Sequence, residues 1–185
     1  RVPVRLDFGG GPTDVQPFPQ YENGFVINAT INLYATARLE IYNETKEVII
    51  QSKDFGIVEK FDDISCLDTF GATKLIKIII KYINPPFGFK LTTEVDVPFG
   101  SGLGSSAALT IAILRVLNYK QEGDYFNIQK LVDNALHIEN ELLNNICGGQ
   151  DQYASALGGF HSFIFHKNKV QLKKLIINKN IKKEI

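Results

Sequence analysis

No methionine occurs in this 185-residue chain, not even at its first position, and it has only two cysteines. A chain that opens inside a motif without an initiator is expected to be part of a longer product, with residues missing at its ends or within it. Cys66 and Cys147 lie far apart and lack metal-ligand spacing, so a reduced, cytoplasmic setting is expected, with each thiol serving as a small buried hydrophobe. Neither charge is in excess, with 20 basic and 20 acidic residues, and this leaves no electrostatic footprint for nucleic acid or an anionic membrane. Apolar runs such as residues 76–83 are too short, and too interrupted by lysine, to span a bilayer. No charged-then-apolar leader opens the chain, so nothing directs it to secretion. What remains, 44% hydrophobic and 22% charged, is ordinary globular composition, enough for one domain with a real core.

The most informative stretch is residues 96–108. Before it, Phe87, Phe89, Leu91, Thr93 and Val95 alternate at period two and predict a strand over 87–95. After it, residues 107–117 are almost wholly apolar, with only Thr110 and Arg115 to wet them, and predict a helix buried on nearly all sides. Between the two, Gly100, Gly102 and Gly104 allow positive φ and close approach to a ligand. Ser105 and Ser106 fall at the cap and first turn of the helix, where free N–H groups favour an anion. The pattern fits a phosphate cradle, or a serine-capped turn with no ligand. It is not a P-loop, since no lysine lies between Lys90 and Lys120, and the glycine spacing differs from the dinucleotide fingerprint.

Residues 1–8 predict a short strand, followed by Gly9, Gly10, Gly11, Pro12, Thr13 and Asp14. That loop either binds hydroxyls through Thr13 or Asp14 or closes an Asx-type turn. Residues 25–42 alternate over a length that requires a bend or bulge, with Ile27 to Ile41 on the odd, apolar face. Asn28, Thr30 and Asn32, on the other face, border a sugar or simply meet solvent. Residues 47–51 predict a strand, 54–72 an exposed acidic excursion, and 73–83 a helix with its lysines on one side. Across 127–143 the residues Ile128, Leu131, Val132, Ala135, Ile138 and Leu142 share one helical face. Glu139 falls inside that stripe, while Glu141 and His137 fall on the wet side. A carboxylate aimed at a core needs a cation, either lysine or arginine or a magnesium ion. Asp151 stands between two Gly-Gly pairs, flanked by Gln150 and Gln152, a pattern that also suits a helix cap. Strands over 160–165 and 170–177 close the chain.

Three of these segments resemble the signatures of the GHMP kinases, the superfamily of galactokinase, homoserine kinase, mevalonate kinase and phosphomevalonate kinase. Residues 98–108 are similar to its second signature. That resemblance implies that Pro98, Gly100, Ser101, Gly102, Leu103, Gly104, Ser105 and Ser106 wrap the phosphates of ATP, with Mg2+ held by Ser106 (or Ser105) and by Glu139. Residues 5–14 resemble the first signature in its sugar-kinase form, placing Arg5 beside a catalytic aspartate and Asp14 on the sugar hydroxyls. Galactokinases carry Glu-His where this chain has Gly11 and Pro12, which argues against galactose. Residues 147–159 resemble the segment carrying the catalytic base of galactokinases and, more closely, of heptose-phosphate kinases. This implies Asp151 as the base, with Gly149 where a lysine often stands. The implied acceptor contacts are Gly11, Asp14, Gly149 and Asp151. The implied fold is α+β, a mixed sheet with helices packed on one side, spanning residues 1–185 as the N-terminal, ATP- and sugar-binding domain. The family's ferredoxin-like C-terminal domain, with a third glycine-rich signature, is not supplied after residue 177. The expected activity is ATP- and Mg2+-dependent phosphorylation of a sugar hydroxyl, such as the anomeric hydroxyl of heptose 7-phosphate. L-fucose or galactose kinases are the alternatives, and a non-catalytic nucleotide- or sugar-binding module is the alternative of another class. The expected partner is a small sugar or sugar phosphate. No oligomer is indicated.

Overall fold

The computed structural model describes residues 1–122, 127–167 and 169–176. Seven strands among them form one mixed sheet: β1 (Val2–Gly9), β2 (Gly24–Tyr42), β3 (Val48–Ser52), β4 (Ile57–Phe61), β5 (Gly88–Val95), β6 (Phe160–Phe165) and β7 (Val170–Lys174). The order is β4-β3-β5-β2-β6-β7, with β1 also paired to β2. β3 and β5 run parallel and every other pair is antiparallel. The helices are α1 (Phe18–Tyr21), α2 (Lys74–Ile83), α3 (Ser105–Glu122), α4 (Ile128–His137) and α5 (Gln150–Leu157). α3 and α5 lie against β1 and β2, and α2 and α4 pack on α3.

Residues 107–114 of α3 are all buried, Thr110 included, so the expectation of an enclosed helix holds. With no wet face over 107–114, this part of α3 is ordered by packing against the sheet on one side and helices on the other. β2 is the long strand expected from its alternation, but its buried face changes along its length. Ala35 and Ala37 are buried on the odd parity, whereas nearer the start the buried positions are Val26 and Asn28 on the even parity. A twisted strand of 19 residues does not offer one face to one neighbour throughout, and its pairing with β1 carries two register irregularities. Asn28 is therefore neither solvated nor at a rim. It is fully buried, and its amide donates to the Gln150 carbonyl at 3.4 Å.

The segment 54–72 is not the simple excursion its acidity suggests, because it contains β4 and a short 3-10 turn at Ile64–Cys66. It is fastened by Lys77, which also departs from expectation, being fully buried rather than on a wet side of α2. Its ammonium donates to Glu59 at 2.7 Å, Asp68 at 2.9 Å and the Phe70 carbonyl at 3.3 Å. Cys66 is exposed, against the expectation of a buried thiol, whereas Cys147 is half-buried. The strand predicted over 170–177 ends at Lys174, and residue 177 lies outside the described residues.

Candidate active site

The glycine-rich bend leaves the end of β5 at a point fastened to β2. The Asp96 carboxylate accepts from the Tyr34 N–H at 2.9 Å, and the Asp96 N–H donates to the Tyr34 carbonyl at 2.9 Å. Gly100, Gly102 and Gly104 all have left-handed φ, at 79°, 75° and 71°, a conformation that costs a side-chain-bearing residue about 1–2 kcal/mol. Gly104 caps α3, its carbonyl accepting from Ala108 N–H at 3.0 Å. Ser105 and Ser106 are thus the first two helical residues, and the cap lies one residue earlier than the sequence suggested. The free N–H groups of that first turn make an anion-favouring end.

β1 runs alongside the bend. The Arg5 N–H donates to the Leu103 carbonyl at 3.1 Å, and one guanidinium nitrogen donates to the Gly102 carbonyl at 2.5 Å. The rest of the guanidinium turns to Asp151, with Nε donating to Oδ1 at 2.7 Å and a terminal nitrogen 2.6 Å from the same oxygen. Asp151 sits in the first turn of α5, and a Cβ on Gly104 would lie 3.1 Å from its Oδ2. Three segments far apart in sequence therefore meet: β1, the bend and the start of α5. Burial raises the Asp151 carboxyl above its ordinary range, and the Asp14 and Asp7 charges add to the rise. The Arg5 charge and hydrogen bonds oppose it without cancelling it. A buried carboxylate of raised proton affinity, fixed by one guanidinium, is equipped to accept a proton.

Asp14 is brought to the same place from another direction. Its carboxylate accepts the Gln150 N–H at 2.9 Å and the Gln150 side-chain amide at 3.4 Å, so it caps α5 across the fold. Burial raises its pKa, and the Gln150 backbone hydrogen bond holds the rise in check. Thr13, the other hydroxyl-binding candidate, is spent on structure, donating to the Gly10 and Phe25 carbonyls and accepting from the Phe25 N–H. Gly148 presses against Asp14 so closely that a Cβ there would stand 2.0 Å from the carboxylate. Gly149, the glycine singled out from the sequence, instead caps α5 and packs on Phe165 and Tyr153.

Glu139 is buried at 6% exposure, as its place in the apolar stripe required. The segment is not one regular helix, however. Residues Ile138–Leu142 form a π-helical turn closed by Leu143 N–H on the Ile138 carbonyl at 3.0 Å. That extra residue per turn spoils the 100° wheel beyond His137, and Leu142, expected on the apolar face, is 41% exposed. Neither lysine nor arginine meets Glu139 among the described residues. Its Oε1 accepts from Gln152 Nε2 at 3.3 Å, and the Cys147 thiol is its other side-chain hydrogen-bond partner. Burial pushes its carboxyl up to about 7, with the Asp151 charge adding to the rise against the Gln152 and Cys147 hydrogen bonds. Cys147, beside it, is pushed up to about 12 by burial and the Glu139 charge, and so stays a thiol. A buried carboxylate that meets no lysine or arginine among the described residues, and that feels the Asp151 charge, fits a Mg2+ ligand.

Two cavities share the wall formed by Asp14, Cys147 and Gly148. The smaller, about 260 Å3, is lined by Arg5, Asp7, Gly11, Asp14, Gln150 and Asp151 among others. The larger, about 620 Å3, reaches Gly149, Tyr153, Gln129 and the β6–β7 turn at Lys167 and Lys169. Nothing local in the sequence marks Asp7 as part of this lining. Its carboxylate enters the smaller cavity only through the fold of the 9–14 loop.

Residues 72–159 match the family described as the GHMP kinases N terminal domain. The chain is 35% identical over 178 residues to a D-glycero-alpha-D-manno-heptose 7-phosphate kinase of Campylobacter jejuni, covering 91% of this chain and 51% of that protein. It is 29% identical over 185 residues to an L-fucokinase/L-fucose-1-P guanylyltransferase of Bacteroides fragilis, covering 86% of this chain and 19% of that protein. The crystal structure of a D-glycero-D-manno-heptose 1-phosphate kinase from Bacteriodes thetaiotaomicron superposes with a TM-score of 0.89 at 33% identity, covering 97% of this chain and 60% of that one. The chain thus spans about half the length of the heptose kinase relative.

Proposed function

The chain carries a GHMP kinase N-terminal domain, and from that premise we propose that the whole protein is an ATP-dependent sugar kinase. The acceptor is proposed to be a heptose phosphate or a near relative, by likeness to the named heptose kinases. The observation that carries the proposal is the ion pair of Arg5 with Asp151 at the edge of the glycine bend, beside a cavity with two further carboxylates.

Phosphoryl transfer asks a protein mainly for positioning and for neutralising charge. In this proposal the 98–106 bend and the N–H groups of α3 hold the ATP phosphates. Asp14 accepts hydrogen bonds from acceptor hydroxyls in the smaller cavity, alongside Gly11. Asp151 takes the proton of the attacking hydroxyl as its oxygen bonds to the γ-phosphorus and the bond to ADP breaks. Arg5 keeps the Asp151 carboxylate aimed and partly offsets the cost of its burial. Ser106 and Glu139 would hold Mg2+, which when bound offsets phosphate charge. Gly149 is proposed as an acceptor contact only from the side of the larger cavity.

A panel of sugars and sugar phosphates, assayed for ADP release with the full-length protein and Mg2+-ATP, tests the proposal. Release with a heptose phosphate, or with L-fucose or galactose, supports it and names the acceptor. Sugar or nucleotide binding with no release from any of them supports a non-catalytic binding module instead.

A further inference from the structure

We propose that Asp7 is a further sugar-binding carboxylate, and that the smaller cavity takes an uncharged hydroxyl-bearing face of the acceptor while excluding its anionic group. This rests on the sugar-kinase proposal above and adds to it a specificity residue. Asp7 lines the cavity together with Asp14 and Asp151. Its Oδ1 accepts the Gly9 N–H at 2.9 Å, which leaves Oδ2 free to accept. That Oδ2 lies 1.9 Å from where a Cβ on Gly11 would stand. Any side chain at residue 11 would therefore occupy the space that the Asp7 carboxylate fills. Gly11 is thus the residue that admits Asp7, in addition to leaving room for a ligand.

The charge in this cavity is lopsided. Three carboxylates line it against one cation, Arg5, whose guanidinium is committed to Asp151 and to the Gly102 carbonyl. A phosphate placed here would meet Asp7 and Asp14 with no free cation in the lining, whereas hydroxyl groups would find acceptors for their protons. The cavity therefore selects by both means available to a site: hydrogen bonds to the right ligand, and repulsion of the wrong end of the same ligand. The acceptor must reach Asp151 with at least two hydroxyl donors on the nearby face and carry any phosphate at its far end.

The test uses full-length wild type, Asp7→Ala and Asp7→Asn, with binding of each sugar measured by calorimetry alongside ADP release. Asp7→Asn keeps the shape and the contact to Gly9, so it serves if Asp7→Ala does not fold. The variants are expected to weaken binding of the preferred sugar and raise its KM by about tenfold or more, the scale of a hydrogen bond to a charged group. kcat should fall by less than KM rises, because binding lost equally from ground and transition states leaves kcat alone and the Asp7 charge is the smallest of the influences on the Asp151 carboxyl. One single-deoxy derivative of that sugar should lose as much with wild type and nothing further with the variant. Unchanged KM, an equal loss for every deoxy derivative, or a fall in kcat alone would overturn the proposal. Weakened sugar binding in the variants, with no ADP release even from wild type, would uphold Asp7 while removing the kinase activity. No binding of any sugar to wild type would remove both.

Discussion

At Asp151 two effects of opposite sign meet. Burial and the neighbouring carboxylates raise its proton affinity, and the doubly hydrogen-bonded Arg5 lowers it without prevailing. Such a carboxylate is held in one orientation yet remains a better base than a free aspartate. Asp151→Asn is expected to leave nucleotide binding nearly intact, by calorimetry, while turnover falls about a hundredfold or more. Unchanged turnover would remove Asp151 from the chemistry. Glu139 carries a stability consequence as well. Its folded pKa of about 7 lies above the ordinary 4.5, so the folded state holds this proton more tightly than the unfolded state does. Its contribution is intact below about 4.5 and is lost as pH rises toward about 7. At about 1.4 kcal/mol per tenfold step in proton affinity, the loss reaches up to about 3 kcal/mol. Urea melts at pH 5 and pH 8 should show that difference in the absence of Mg2+. Glu139→Gln, which cannot ionise, should shrink it, leaving what the raised Asp14 and Asp151 carboxyls contribute.

Among the elements, the β4 segment depends on a buried charge. Lys77 replaces an apolar residue on the inner face of α2 and gathers Glu59, Asp68 and a backbone carbonyl, while Thr73 donates to the other Glu59 oxygen. Lys77→Met is expected to cost about 1–3 kcal/mol in thermal or urea unfolding. This is less than for a fully buried pair, because the Glu59 and Asp68 side chains keep 28% and 50% exposure and can turn to water. Since the β3–β4 turn reaches the end of β5 through Asp54 Oδ1 on the Val95 N–H at 2.8 Å, that loosening should extend to the start of the glycine bend. Hydrogen exchange at Val95 and Val97 would register it.

For the molecule as a whole, the proposed Mg2+ site would link folding to ligand binding through Glu139, which meets no lysine or arginine among the described residues. Mg2+ with nucleotide should stabilise the full-length protein by about 2.7 kcal/mol at a hundredfold excess over the dissociation constant. The gain should be larger at pH 8 than at pH 5.5, because the metal competes with a proton for the same carboxylate. Thermal melts with and without Mg2+-nucleotide at the two pH values give the comparison. Equal gains at both would mean that Glu139 is not a ligand.

Most of the elements and their order follow from local patterning, β4 and the π-helical turn at 138–142 excepted. Period-two alternation in β2 and β5, an unbroken apolar run in α3 and glycines at the bend each act over a few residues, and a chain shows such signals without its fold. Glu139 was legible for the same reason, since an acid inside a helical apolar stripe has to be buried. Which partner each group meets is another matter. The inward turn of Lys77, the change of buried face along β2, the press of Gly148 on Asp14 and the entry of Asp7 beside Gly11 arise where segments distant in sequence are forced into one volume. Contact there is decided by packing and by the need to pair buried charge, and neither is written in any short window of the chain.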